Sequence, residues 1–280
     1  MLNTVAQYLR CPHCRGETSL RERSLVCPAG HSFDVAKQGY VNLLPHASAH
    51  SADSQEMVAA RAAFLDAGHY APLSAALAAL ARRTAPEPLP GCVVDVGGGT
   101  GHHQARVMEE FPGADGVLLD VSKFAARRAA RAHPRIGAVV ADAWRELPLR
   151  DGAAGVVLNT FAPRNGPELR RILDPRGVLL VVTPEPGHLQ ELTGALGLMR
   201  VDERKEERLA DRLSPYFSVA VSERLTSPMT LDHAALALLV GMGPNARHLA
   251  GEELARRVAA LPPTCEVTLS VTLTAYRPLA

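Results

Sequence analysis

Val93-Val94-Asp95-Val96-Gly97-Gly98-Gly99-Thr100-Gly101-His102 reads as a buried strand, a glycine-rich turn and the opening of a helix. Glycines at such a turn let the backbone pass close beneath a bound ligand. Two common phosphate loops do not fit. A dinucleotide loop needs G-x-G-x-x-G, and the sixth position counted from Gly97 is His102. A Walker-type loop needs Gly-Lys-Ser/Thr, which is absent. What remains is an acid followed by alternating glycines, Asp95-x-Gly97-x-Gly99-x-Gly101.

Short apolar runs continue beyond this turn at 116–120, 137–140, 155–159 and 177–183, with helical stretches such as His102 to Phe111 and Lys123 to Ala132 between them. Strands joined by crossover helices predict a parallel sheet covered on both faces. Towards the end of the chain, 217–225 and 265–276 alternate apolar with polar residues, as antiparallel strands at a sheet margin do. The expected fold is therefore α/β, a doubly wound, mostly parallel sheet finished by antiparallel C-terminal strands. Upstream, the Ala-rich stretch Ser54 to Arg83, broken near Gly68 and Pro72, predicts two helices, and Ala85 to Gly91 a stiff linker.

The first 45 residues differ in style. Cys11-Pro12-His13-Cys14, then twelve residues, then Cys27-Pro28-Ala29-Gly30-His31 supplies two ligand pairs of the kind that hold a tetrahedral zinc ion. His13 is a second candidate for the histidine ligand, but between two ligating cysteines it would strain the turn. A redox Cys-x-x-Cys would not carry the second pair. Cys11, Cys14, Cys27 and His31 thus predict a closed, structural Zn2+ site that substitutes for a core too small to fold alone. The domain reading is a zinc module at 1–45, a helical linker region at 46–90 and a catalytic domain at 91–280. Cys92 and Cys265 lie in apolar, strand-like runs and are expected in the core.

Composition is that of an ordinary globular chain: 280 residues, 47% hydrophobic and 21% charged. No run approaches the roughly 18 apolar residues of a membrane span. The first residues lack the features of a secretion signal, so a cytoplasmic protein is expected. Five cysteines, an odd number, argue against a disulfide framework. A net charge of only +1 means that any nucleic-acid affinity must come from local patches. The richest is Lys123 to Arg135, with Arg127, Arg128 and Arg131; by itself it reads equally as the solvated face of a helix.

The Asp-x-Gly-x-Gly-x-Gly turn resembles the first motif of class I S-adenosylmethionine methyltransferases. The resemblance places Asp95, Gly97, Gly99, Thr100 and Gly101 beneath the methionine moiety. It implies that Asp120, ending the next strand about 20 residues on, holds the ribose hydroxyls. Asp142, after the third strand, falls where that class reads the adenine amino group. On the residues alone, Asp120 or Asp142 could simply cap a following helix. The fourth strand ends at Asn159-Thr160-Phe161-Ala162-Pro163, where nucleobase methyltransferases touch the target base, so Asn159 is a candidate to orient the base. His188, after the fifth strand, faces the ligand crevice or is a bystander.

His31-Ser32-Phe33-Asp34-Val35-Ala36-Lys37-Gln38-Gly39-Tyr40-Val41-Asn42-Leu43-Leu44 and the stretch Met57 to Pro72 resemble the corresponding parts of 23S rRNA guanine-N1 methyltransferases. Leu9 to Cys14, Gly97 to His103 and Val267 to Ser270 are most similar to that family's macrolide-resistance branch, typified by the tylosin and mycinamicin enzymes. The resemblance implies S-adenosylmethionine as cofactor and methylation of a guanine in hairpin 35 of 23S rRNA, at position 748. It also implies a homodimer whose zinc modules grip the RNA, with Tyr70 and His188 against the cofactor. Phosphate contacts are expected from Arg10, Arg15 and Lys37 in the zinc module and from Arg127, Arg128 and Arg131. Guanine N1 is hidden inside a Watson–Crick pair, so the base must be unpaired or flipped out. No residue stands out as the base that removes its proton. The rival readings are a small-molecule methyltransferase, the same reaction at a neighbouring guanine, and a zinc-ribbon binding factor with a vestigial cofactor fold.

Overall fold

A computed structural model describes residues 2–46, 48, 52–197, 212–243, 246 and 251–279. The chain opens with a single helical turn, α1 (Leu2–Val5), followed by three short strands, β1 (Ser19–Arg21), β2 (Ser24–Val26) and β3 (Ser32–Asp34), in an antiparallel sheet. A fourth strand, β4 (Tyr40–Asn42), leaves this ribbon for the large sheet. Two helices follow. Ser54 caps α2 (Gln55–Asp66) by accepting the Met57 amide at 3.2 Å, and Pro72 sits in the first turn of α3 (Ala71–Thr84), where its missing N–H has no helical partner to lose.

The chain then alternates β5 (Cys92–Val96), α4 (His102–Met108), β6 (Gly116–Asp120), α5 (Lys123–Ala129), β7 (Ile136–Val140), β8 (Ala154–Thr160), α6 (Gly166–Ile172), β9 (Leu173–Pro184) and α7 (Gln190–Leu196). It closes with β10 (Phe217–Asp232), α8 (His233–Gly241), α9 (Gly251–Ala259) and β11 (Thr264–Pro278). Among the described residues the large sheet has eight strands in the order β10-β11-β9-β8-β5-β6-β7-β4. β4 to β9 run parallel, while β11 is antiparallel to β9 and β10 to β11. This is the expected doubly wound sheet with an antiparallel margin.

Every residue of β5 is buried, and successive side chains feed opposite cores. Val93 joins Leu118, Leu158, Leu77 and Met108 on one face; Val94 and Val96 join Val117, Leu119, Val157 and Leu179 on the other. An unbroken apolar run is what a strand covered on both faces requires.

The second face holds what the sequence did not foretell. Leu2, Val5, Leu9 and Leu25 of the N-terminal segment are buried in the same core as β5 to β7, each such side chain contributing about 1.5–3 kcal/mol. Gly137 of β7 makes room: a Cβ there would lie 2.3 Å from Val5 Cγ2. β4 pairs in parallel register with β7, Tyr40 opposite Ala138 and Asn42 opposite Val140. The zinc-ribbon segment is thus continuous with the large sheet. Cys92 is buried as expected, but Cys265 is only half-buried, near the start of β11 where Thr264 and Glu266 are exposed.

Candidate functional site

The expected cofactor residues converge at the carboxyl ends of β5, β6 and β7, the rim where open α/β sheets take ligands. Asp95 lies beneath the glycine turn, 1% exposed, and its Oδ1 has no hydrogen-bond partner. Burial, reinforced by the charge of Asp120, pushes its carboxyl up to about 8. An orphaned buried carboxylate under a glycine cradle suits a ligand that brings positive charge.

The cradle hangs from β6, since the amides of Gly97 and Gly98 both donate to Leu119 O, at 2.8 and 3.2 Å. A Cβ at Gly98 would stand 2.6 Å from the Asp95 carboxyl and 2.8 Å from Leu118 Cδ1. Gly98→Ala is therefore expected to displace Asp95 and weaken cofactor affinity by at least about tenfold, a shift of about 1.4 kcal/mol, read by calorimetry. Unchanged affinity would mean that the cradle is not the binding surface.

Asp120 accepts the Gly99 amide through Oδ2 at 2.9 Å and the Ser122 amide through Oδ1 at 2.8 Å. It does not cap α5; Ser122 does, its Oγ accepting the Ala125 amide. A carboxylate offers about four acceptor sites, so two remain on Asp120. Asp142 is 4% exposed and precedes a turn, not a helix. Its Oδ1 accepts the Trp144 amide at 2.9 Å and its Oδ2 the Ser48 hydroxyl at 2.7 Å.

Asn159 is placed differently from the expectation that it orients the base. It is fully buried, with Nδ2 donating to Val96 O at 3.3 Å and Pro163 O at 2.9 Å. Its amide ties the loop after β8 to the end of β5 and presents no surface to the crevice. The residue that emerges from this loop is Phe161, 43% exposed and held at φ 53°. Its ring stacks on His188 with centroids 5.9 Å apart, and the buried ring of Tyr70 lies 6.4 Å beyond. Ala162 packs against Gly97, so this aromatic group adjoins the glycine turn.

Arg61 is a further member of the site. From α2 it reaches over Gly99, pairs with Asp53 at 2.6 Å and donates to Met242 O at 2.8 Å. Its charge opposes the upward push of burial on Asp120. Neither Arg61 nor Ser48 belongs to a spaced motif, and the partners that reveal them are distant in sequence.

Behind the turn, His103 is half-buried, with Nδ1 2.8 Å from Ser74 Oγ. Burial, with lesser contributions from His102 and Arg61, pushes its pKa down to about 3. An unfolded histidine titrates near 6.5, so the unfolded chain binds the extra proton. The stability involved is fully present above pH ~6.5 and is lost as pH falls towards about 3. Thermal melts should show that decline, and His103→Asn should flatten it; an unchanged slope would exclude His103 as its source.

In the ribbon, Cys11, Cys14, Cys27 and His31 bring one ligand atom each to within 4.8 Å of one another. Cys14 and Cys27 sulfurs are 3.6 Å apart, and His31 Nδ1 is 3.5 Å from Cys11 Sγ and 3.4 Å from Cys27 Sγ. The edges of a tetrahedron around a zinc ion with bonds of ~2.0–2.3 Å are ~3.3–3.8 Å long, so the four atoms fit such an ion. His13 lies outside the cluster, stacked on Phe33.

Arg10 pairs with Glu146 at 2.5 Å and Asp151 at 3.4 Å, and Arg15 pairs with Glu146 at 2.8 Å. These pairs and the Leu9–Leu149 bridge join the zinc knuckle to the segment after β7, and the Arg15 side chain stays 70% exposed. Lys37, Arg127, Arg128 and Arg131 are exposed. The three arginines line a groove of ≈ 980 Å³ between α5 and the α2–α3 pair.

The family model described as "RlmA, N-terminal", a zinc ribbon, matches residues 9–52. A Streptomyces fradiae protein named 23S rRNA (guanine(748)-N(1))-methyltransferase is 60% identical over 279 residues, covering 100% of both chains. The chain belongs to the 23S rRNA guanine-N1 methyltransferase family. A Micromonospora griseorubida protein whose name places it in the same class is 50% identical over 97% of this chain and 98% of its own. In architecture, a chain of the solved complex between the Haloferax volcanii Trm112 methyltransferase activator and its methyltransferase superposes with a TM-score of 0.52 at 17% identity, covering 83% of this chain and 100% of that one. That likeness concerns the fold alone.

Proposed function

We propose that this family member transfers a methyl group from S-adenosylmethionine to N1 of guanine 748 in hairpin 35 of 23S rRNA, and so confers macrolide resistance. One observation carries the reading: the intact arrangement of Asp95, glycine turn and Asp120, in a chain 60% identical end to end to a protein named for that reaction.

S-adenosylmethionine, when bound, supplies an electrophilic methyl on a sulfonium. The chain's own part is binding and orientation. Gly97, Gly99, Thr100 and Gly101 provide the surface over which the methionine end lies, and buried Asp95, protonated in the empty site, ionises against the positive charge that the ligand brings. Asp120 uses its two remaining acceptor sites for the ribose hydroxyls. Asp142 supports the adenine side, and Tyr70 closes the crevice from α3. N1 of guanine loses its proton as the new N–C bond forms. Asn159 cannot take that proton, since an amide has no basic site; its Nδ2 is held by Val96 O and Pro163 O.

Cys11, Cys14, Cys27 and His31 hold a structural Zn2+, a full shell with no open position for water. The ribbon so stabilised, together with Lys37 and the arginine groove at Arg127, Arg128 and Arg131, contacts RNA phosphates. Arg10 and Arg15 act mainly by fixing the ribbon's angle, through Glu146. The working form is a cytoplasmic homodimer, as the resemblance implies; no helix of the described residues is long and apolar enough to cross a membrane.

A transcript of hairpin 35 incubated with enzyme and cofactor should yield one 1-methylguanosine per RNA by nucleoside mass spectrometry. Cofactor binding without any methylated guanosine would overturn the substrate assignment.

A further inference from the structure

Among the described residues four large hydrophobic side chains are exposed: Trp144, Phe161, Val219 and Leu279. Two are aromatic, and both stand just beyond the carboxyl ends of strands, Trp144 after β7 and Phe161 after β8. Trp144 is the chain's single tryptophan. It is 38% exposed and belongs to neither hydrophobic core. So large an aromatic surface, held outside the cores, is characteristic of a contact with a partner. Over the indole lies a cation. The guanidinium of Arg212, on the turn before β10, is 5.0 Å from the ring centroid, within cation–π range.

The backbone around Trp144 fixes its place. Its amide donates to Asp142 Oδ1 at 2.9 Å, just past the end of β7. Two residues further on, Glu146 pairs with Arg10 and Arg15 of the zinc knuckle. Asn165 Nδ2 donates to Arg145 O at 3.2 Å and joins the same segment to the loop after β8 that carries Phe161. The indole thus stands between the ribbon and the crevice. An RNA strand held by the one, with a base in the other, passes over it.

We propose that Trp144 is the platform on which an unpaired nucleotide next to the target guanine stacks, with Arg212 steadying the indole and facing that nucleotide's phosphate. This rests on the rRNA reading above and deepens it. A guanine drawn out of a hairpin leaves its neighbours without a stacking partner. Proteins that bind unpaired RNA take up such bases on aromatic rings and guanidinium planes. Trp144 and Arg212 supply both in one place. Arg145, next in sequence, and Arg15, on Glu146, keep side chains 39% and 70% exposed, which suits a phosphate backbone. The platform touches neither the methyl donor nor guanine N1, so Trp144 positions RNA and is not catalytic. The competing occupant is the cofactor's adenine, since Asp142 lies two residues away. The two placements make different predictions.

With one tryptophan in the chain, tryptophan emission reports this ring alone. Emission is recorded while hairpin 35 is added, corrected for absorption by the RNA, and separately while S-adenosylmethionine is added. RNA should quench it with the midpoint that filter binding gives for the same hairpin, and the cofactor should leave it unchanged. Trp144→Ala should raise KM for the hairpin about tenfold, with kcat and cofactor Kd within about twofold and the melting temperature unchanged. Trp144→Phe, which keeps a ring, should recover most of that loss, and Arg212→Ala should lose about threefold. Quenching by the cofactor alone would put the indole on the adenine and overturn the proposal. So would unchanged emission at saturating RNA, or equal losses of RNA and cofactor affinity in Trp144→Ala. Failure of the unaltered chain to bind the hairpin at all would overturn the rRNA reading itself, and this proposal with it.

Discussion

Replacing Asp120 by alanine abolishes S-adenosylmethionine binding, with Kd weakened at least ~100-fold, and leaves a folded protein. Each Asp120 oxygen accepts one backbone amide, from Gly99 or Ser122, and keeps a second site for a ligand hydroxyl. Hydrogen bonds to a charged acceptor contribute about 1.5–3 kcal/mol each, and two together correspond to roughly 10²–10⁴ in affinity. The fold survives because α5 keeps its own cap at Ser122 and the large core does not include Asp120. Asp120→Asn should fall between: it retains acceptors for the two amides but loses the charge and one acceptor geometry. Calorimetry reads affinity, and thermal melting separates it from misfolding. Unchanged affinity in the alanine variant would remove Asp120 from the cofactor site.

The second large effect is on the metal. Cys14→Ser should release zinc, from one ion per chain to a small fraction by elemental analysis, and weaken hairpin binding by about two orders of magnitude. Metal binding contributes on the order of 10–16 kcal/mol to folding in small zinc modules. Leu2, Val5, Leu9 and Leu25 anchor the segment in the large core, but the ribbon's own strands add little to hold the knuckle: they have three residues each, and Leu25 is the one fully buried side chain among them. Cofactor Kd should stay within about twofold, because the crevice is built from residues of the large sheet and α2 and α3. Full zinc occupancy in the variant would contradict the ligand set. Equal losses of RNA and cofactor affinity would show that the ribbon acts through global stability.

Much of this was legible in the sequence because the decisive signals are local. The strand and turn at 93–101, the acids at strand ends and the Cys/His spacing each lie within a few residues, and local sterics fix them. The parallel sheet follows from unbroken apolar runs such as Val117-Leu118-Leu119, which suit no half-exposed strand. What was missed depends on long-range pairing. α1 is one turn, too short for a periodic pattern, and β4 is three residues whose partner, β7, lies about a hundred positions on. Asn159 looked available because polar residues at strand ends usually are; its burial follows from Val96 and Pro163 needing a donor. Arg10 and Arg15 read as free cations until Glu146 stood opposite them. Phe161 was visible as an aromatic, but its backbone conformation and its stacking on His188 were not.

The most direct test of the central claim is primer extension on full-length, unmodified 23S rRNA after incubation with the protein and S-adenosylmethionine, since methylation at N1 blocks Watson–Crick pairing and halts reverse transcriptase. One new, cofactor-dependent stop is expected, next to guanine 748 and lost with Asp120→Ala. A stop at another guanine, or none from protein that binds the cofactor, would contradict it.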